Sequence, residues 1–197
     1  ADLLDGKSKE IGRPIFIISD EPYREIVYDG IKVPFVTKYY DNTLVCYSYS
    51  KSLSLPGERI GYVLVPDEVY DKNELYAAVC GAGRALGYVC APSLFQKMII
   101  RCQGATGDKK NRDLLYEGLT NIGYKCFKPD GAFYMFVKAL EDDSNAFCEK
   151  AKEEDVLIVA ADGFGCPGWV RISYCVDEEM IKRSMPAFER IYNKYNR

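Results

Sequence analysis

The chain has 197 residues, 48% of them hydrophobic and 28% charged, a balance that supports one large globular domain or two small ones. Its 26 basic and 29 acidic side chains leave a formal charge of −3, which argues against nucleic acid or an anionic membrane as the main partner. It contains no histidine, so Ser-His-Asp and Cys-His catalysis and H-E-x-x-H metal sites are excluded within it.

Proton transfer near neutral pH therefore falls to Lys, Tyr, Cys, a carboxylate of shifted pKa or a bound cofactor. No apolar run approaches the roughly 18 residues needed to cross a bilayer. The polar start, Ala1-Asp-Leu-Leu-Asp-Gly-Lys7, has no signal-peptide core, and a cytoplasmic location is expected.

The chain opens on a fragment of helix and runs into Ile15-Phe-Ile-Ile-Ser19, an apolar stretch that predicts a strand buried on both faces and ending at Asp20. Thr43–Tyr47 predicts a second strand, ending just before Ser48-Tyr-Ser-Lys51, and Ile60–Val65 a third, closed by Pro66. Helices are expected over Asp67–Cys80 and Pro92–Gln103. Two of the three strands end on polar groups, where open α/β sheets place ligands. Three such strands alone make a thin sheet with costly edges, so the sequence reads as part of something larger.

The character changes after Gly104-Ala-Thr-Gly107, and a domain boundary is expected near residue 104. A helix over Asn111–Ile122 is followed by short strands at Tyr124–Phe127, Ala132–Val137, Val156–Val159 and Trp169–Tyr174. Helices at Ser144–Lys152 and Asp177–Tyr195 complete an α+β pattern. The 8 cysteines are scattered with no C-x-x-C pair, which predicts reduced thiols in the core and no disulfide or zinc framework.

Several short motifs fail for want of partners. Ile15–Glu21 resembles a Walker B strand, but no G-x-x-x-x-G-K-[ST] loop accompanies it. Gly81-Ala-Gly-Arg-Ala-Leu-Gly87 has its third glycine one place late for a dinucleotide loop and follows a helical pattern. Ser48-Tyr-Ser-Lys51 is formally S-x-x-K, yet the K-T-G and S-D-N elements of penicillin-binding proteins are absent.

The order of motifs says more than any one of them. Asp20-Glu-Pro-Tyr23 precedes Ser48-Tyr-Ser-Lys51, then comes Gly57-Glu-Arg59 with Arg59 eight residues after Lys51, then Pro129-Asp-Gly-Ala-Phe-Tyr134 and finally Trp169-Val-Arg171. This series resembles the signature of class I/II pyridoxal-phosphate-dependent aminotransferases, the aspartate aminotransferase-like enzymes of fold type I. The resemblance covers nearly all of the chain. It implies an α/β fold: part of the mixed or parallel-sheet large domain over residues 1–104, then a small α+β C-terminal domain over residues 105–197.

The resemblance also implies roles. Lys51 would bind the aldehyde of pyridoxal 5'-phosphate and then act as general base, Asp20 would pair with the pyridine nitrogen, and Tyr23 would donate to the ring oxygen. Ser48 and Arg59 would hold the phosphate, and Arg171 would grip the α-carboxylate of the substrate. The implied reaction transfers an amino group between an L-amino acid and a 2-oxo acid in a homodimer, with no metal. The family's N-terminal phosphate loop, ring-stacking aromatic and partner Asn have no counterpart here, so the chain alone is expected to be an inactive C-terminal part of a longer enzyme. A cofactor-sensing domain of a transcription regulator, or a carbon–sulfur lyase, would keep the same residues.

Overall fold

The computed structural model describes residues 1–102 and 109–196. The chain divides into two compact units, Ala1–Thr106 and Gly107–Arg197. The expected chain break at Gly104–Gly107 lies outside the described residues.

The first unit begins with helix α1 (Asp2–Ile11), stopped by Gly12 in the left-handed conformation at φ 69°. Strand β1 (Ile17–Asp20) follows, then a single 3₁₀ turn, strand β2 (Thr43–Ser48), the one-turn helix α2 (Tyr49–Ser52) and strand β3 (Gly61–Leu64). Helices α3 (Lys72–Ala85) and α4 (Ser93–Cys102) complete it. The sheet is mixed: β1 runs parallel to β2, and β3 antiparallel to it. Leu44, Val45 and Tyr47 of β2 pack in its core with Ile26, Tyr28, Ile60 and Val69. The Tyr40 hydroxyl donates to the Ile15 carbonyl at 2.6 Å, and Thr43 donates to the Tyr40 carbonyl at 2.7 Å, fixing the entry into β2.

Three expectations need correction here. β1 is not buried on both faces, for its residues alternate and Ile18 is 70% exposed. The flanking cover that a doubly buried strand needs is not supplied by the residues of this unit. Helix α3 begins at Lys72 and not at Asp67, because Asp71 sits in the left-handed region at φ 53°, which a right-handed helix cannot include. The thiols are all free, as expected, but Cys80, Cys90, Cys102 and Cys175 are exposed and Cys148 alone is buried.

The second unit runs α5 (Lys109–Ile122), β4 (Tyr134–Lys138), α6 (Ser144–Lys152), β5 (Val159–Ala160), a 3₁₀ turn over Asp162–Phe164, β6 (Trp169–Ser173) and α7 (Glu178–Tyr195). Its sheet is antiparallel with β6 in the middle, between β4 and β5. Alternation sends Met135, Val137, Val170 and Ile172 to the core, with Leu119, Phe147, Phe188 and Ile191 of the helices. Asp143 caps α6 by accepting from the Asn145 and Ala146 amides, and Asp177 caps α7 by accepting from Glu179. The strand expected at Tyr124–Phe127 is a single bridge, Cys126 to Val137, confined between Gly123 and the donor-less Pro129.

Among the described residues, no helix is long and apolar enough to cross a membrane, and no cluster of metal-ligating side chains occurs.

Candidate functional site

Strand register gathers the predicted residues of the first unit at one end of its sheet. Asp20, the last residue of β1, lies beside Cys46, so Ser48 closes β2 two residues further along the same direction. β3 returns antiparallel with Gly61 opposite Ser48, which brings Arg59 to the same end. Adjacent strands stand about 4.8 Å apart, so the three strand ends form one narrow shelf.

Lys51 rises from that shelf on α2. The Ser48 hydroxyl accepts from the Ser50 amide at 3.1 Å, capping this turn, and donates to the Ser50 hydroxyl at 2.7 Å. The Lys51 ammonium lies 6.0 Å from the centre of the Tyr23 ring, so two residues separated by most of β2 and its approach come together. Arg59 holds a left-handed backbone at φ 51°, costly for a residue with a Cβ. Its guanidinium donates to the Pro56 carbonyl at 2.9 Å.

The surroundings of the shelf are tightly bonded. Glu21 forms an ion pair with Arg24 and accepts from Ser19 at 2.8 Å. Arg24 also donates to the Val33 and Pro34 carbonyls and lies 3.7 Å over the Phe35 ring. That clasp secures the turn carrying Tyr23. Beneath α2, the buried Tyr47 donates to Glu25 at 2.5 Å and also bonds Ser52 at 2.7 Å. Burial and the neighbouring Glu25 carboxylate hold its phenol well above the usual range, so it stays a neutral donor. Burial, and then the charge of Asp20, raise the Cys46 thiol, which keeps it uncharged beside the strand end. No motif marks Tyr47 or Glu25, whose pairing depends on the loop after β1 folding back.

Arg171 belongs to the second unit. It sits on β6 opposite Phe136 of β4 and Val159 of β5. Its guanidinium carbon lies 4.3 Å from the centre of the Tyr134 ring and 3.9 Å from that of Phe164. A cavity of about 390 Å³ in this unit is lined by Arg171 and Tyr134 together with Leu157, Val159, Val176 and Met180.

The Pro129–Tyr134 segment is held from behind by Arg112, which is 1% exposed, donates to the Pro129 carbonyl at 3.1 Å and pairs with Asp113 at 2.8 Å. The Tyr174 hydroxyl donates to the Ala132 carbonyl at 2.9 Å, fixing the positive φ of 58° at Ala132.

The donor set at the shelf suits pyridoxal phosphate. A carboxylate at a strand end, a lysine, two bonded hydroxyls and an arginine offer a partner for a ring nitrogen, an aldehyde and a phosphate.

The family model for aminotransferase class I and II matches residues 11–188. The chain belongs to that family.

Family membership carries the use of pyridoxal phosphate as a property of the group. A crystal structure of an amino transferase from Eubacterium rectale is 91% identical to this chain over the aligned residues. It superposes with a TM-score of 0.92 over 100% of this chain and 50% of its own. The aromatic-amino-acid aminotransferase 2 of Thermococcus litoralis is 30% identical over 96% of this chain and 52% of its own length. The crystal structure of the aspartate aminotransferase of Thermotoga maritima is 25% identical, with a TM-score of 0.69 over 98% of this chain and 52% of its own. The fold is thus aspartate aminotransferase-like, with a partial large domain. The chain spans about half the length of the relatives it matches.

Proposed function

We propose that the chain is the C-terminal part of a pyridoxal-phosphate aminotransferase that moves an amino group between an L-amino acid and a 2-oxo acid. Residues 1–104 are then the part of the large domain that holds the cofactor, and residues 105–197 the small domain. The observation that carries this reading is the convergence of Asp20, Ser48, Lys51 and Arg59 at one sheet end, with Lys51 brought to Tyr23.

Pyridoxal phosphate, when bound, supplies an electron-poor ring that takes up the electron pair left when the substrate Cα–H bond is broken. Asp20 holds a proton on the ring nitrogen. A charge pair at about 4 Å with an effective dielectric near 20 is worth ~4 kcal/mol, enough to keep that nitrogen protonated at neutral pH.

Tyr23 donates its hydroxyl to the ring oxygen. The Ser48 hydroxyl and the Arg59 guanidinium hold the phosphate, the arginine through two parallel N–H donors that a lysine cannot reproduce. Lys51 would hold the aldehyde carbon of the cofactor, and its amine, when free, would be the base for the substrate Cα proton. Arg171 takes the α-carboxylate of the substrate, so amino donor and 2-oxo acceptor are oriented by the same group.

The test is amino-group exchange between L-aspartate and 2-oxoglutarate by the full-length protein that carries this chain. Turnover that needs added pyridoxal phosphate and disappears in Lys51→Ala is expected. Release of thiol and ammonia from an S-substituted cysteine, with no amino acid formed, would instead indicate a carbon–sulfur lyase, and absence of any turnover with a wide set of amino acids would favour a cofactor sensor.

A further inference from the structure

We propose that Phe164, acting with Tyr134, is a positioning residue that fixes the plane of the Arg171 guanidinium for a substrate carboxylate. The inference rests on the carboxylate role proposed above for Arg171.

An arginine side chain is long and loses much rotamer freedom when it must meet a carboxylate in one orientation. A guanidinium hydrogen-bonds through its edges, in plane, and stacks through its faces. A guanidinium that packs its carbon against rings can still offer N–H edges to a carboxylate, so the two uses need not compete. The Arg171 carbon lies 3.9 Å from the Phe164 centroid and 4.3 Å from the Tyr134 centroid, both well inside the roughly 6 Å range of cation–π attraction.

The two rings reach Arg171 from different parts of the chain. Tyr134 comes from β4, where it pairs with Ser173, so it is the diagonal same-face neighbour of Arg171 across the β4–β6 ladder. Phe164 comes from the 3₁₀ turn after β5. That turn is closed by the Phe164 amide donating to the Ala161 carbonyl at 2.9 Å and by Gly165 at φ 74°, and Asp162 within it accepts from the buried Ser144. The turn is thus braced against α6, and its Phe is delivered to the arginine. The Phe164 ring is 49% exposed, too open to be supporting a core, so its replacement leaves the interior of the unit intact.

Two readouts test this in the full-length protein. The first is the Arg171 Nε–H resonance, which ring currents displace; the second is the separation of KM from kcat with L-aspartate as the probe substrate. Phe164→Leu is expected to move the resonance toward its ring-free position and to raise KM roughly three- to tenfold, the cost of ordering one long side chain at binding. The kcat should change less than about twofold, since chemistry after correct seating is untouched. Phe164→Tyr should keep both at their wild-type values, and Tyr134→Leu should act in the same direction as Phe164→Leu.

An unmoved resonance and KM in both leucine variants, with Arg171→Ala still raising KM strongly, would overturn the positioning role and leave the carboxylate role standing. An unchanged KM in Arg171→Ala would remove the carboxylate role and the positioning role with it. A fall in kcat at constant KM in Phe164→Leu would also overturn the proposal, because it would place the ring in the chemical step.

Discussion

Gly61 faces Ser48 across the β2–β3 pair, so near the preceding strand that a Cβ at position 61 would stand 2.3 Å from the Tyr47 carbonyl oxygen. The neighbour is backbone and cannot rotate away, so any larger residue must push β3 off β2. Gly61→Ala is expected to destabilise the first unit by about 2 kcal/mol, within the range for overpacking. It should also displace Arg59, two residues before it. A lowered urea midpoint together with weakened cofactor affinity checks this; an unchanged midpoint would mean that β3 moves freely.

Arg112 ties α5 to the turn before β4 and is almost wholly buried, with its guanidinium on Asp113 and Pro129. Asp113 is part-exposed and keeps Lys128 at 2.9 Å, so the loss falls on the Pro129 carbonyl and the charge-assisted bonds of Arg112, at a cost of about 2 kcal/mol. Arg112→Met should therefore lower the unfolding free energy of the second unit by that order, read by denaturant titration. Arg171 should retain its place in the fraction that remains folded.

Asp20 carries the electronic part of the proposed mechanism. Asp20→Ala is expected to lower kcat by about a thousandfold, the equivalent of the ~4 kcal/mol charge pair. Cofactor affinity should fall much less, because the phosphate partners Ser48 and Arg59 remain. A variant that lost cofactor but kept its kcat on reloading would place Asp20 elsewhere.

Glu178, in the first turn of α7, is paired with Lys110 of α5 and with Lys182 one turn on. Bonds to those two ammonium groups bring its carboxyl down from 4.5 to about 2. A lowered acid favours folding above its unfolded value, and that contribution fades as pH falls from about 4.5 toward 2. The wild-type chain should therefore melt above Glu178→Gln at pH 7, with the gap closing as pH is lowered through that window. The pair is exposed, so the gap should be small and should shrink in high salt.

Most of the elements could be read from the sequence because their ends are marked by side chains that act locally. Asp143 and Asp177 cap α6 and α7, whose bounds fall at or within one residue of the expected ones, and the alternation of Trp169–Ser173 gives β6 its buried face. The late start of α3 could not be read, since Asp71 adopts a left-handed backbone that its residue type permits but does not require. The exposure of β1 and of half the cysteines was hidden for another reason. Apolar composition reports what a segment can bury, and not which partner covers it.

The site divides in the same way. Motif order marks Asp20, Tyr23, Ser48, Lys51 and Arg59, and register explains how Asp20, Ser48 and Arg59, so far apart in sequence, reach one sheet end. The ring contacts of Arg171 were not legible, because Phe164 lies in a turn with no periodic signal and Tyr134 meets Arg171 only through the β4–β6 register.

The most direct test of the central claim, that Lys51 is the cofactor lysine, is borohydride reduction of the full-length protein saturated with pyridoxal phosphate, followed by peptide mass mapping. The expected result is a single phosphopyridoxyl adduct on Lys51, absent from Lys51→Ala. A stoichiometric adduct on a different lysine, or adducts spread over surface lysines with Lys51 unlabelled, would contradict it.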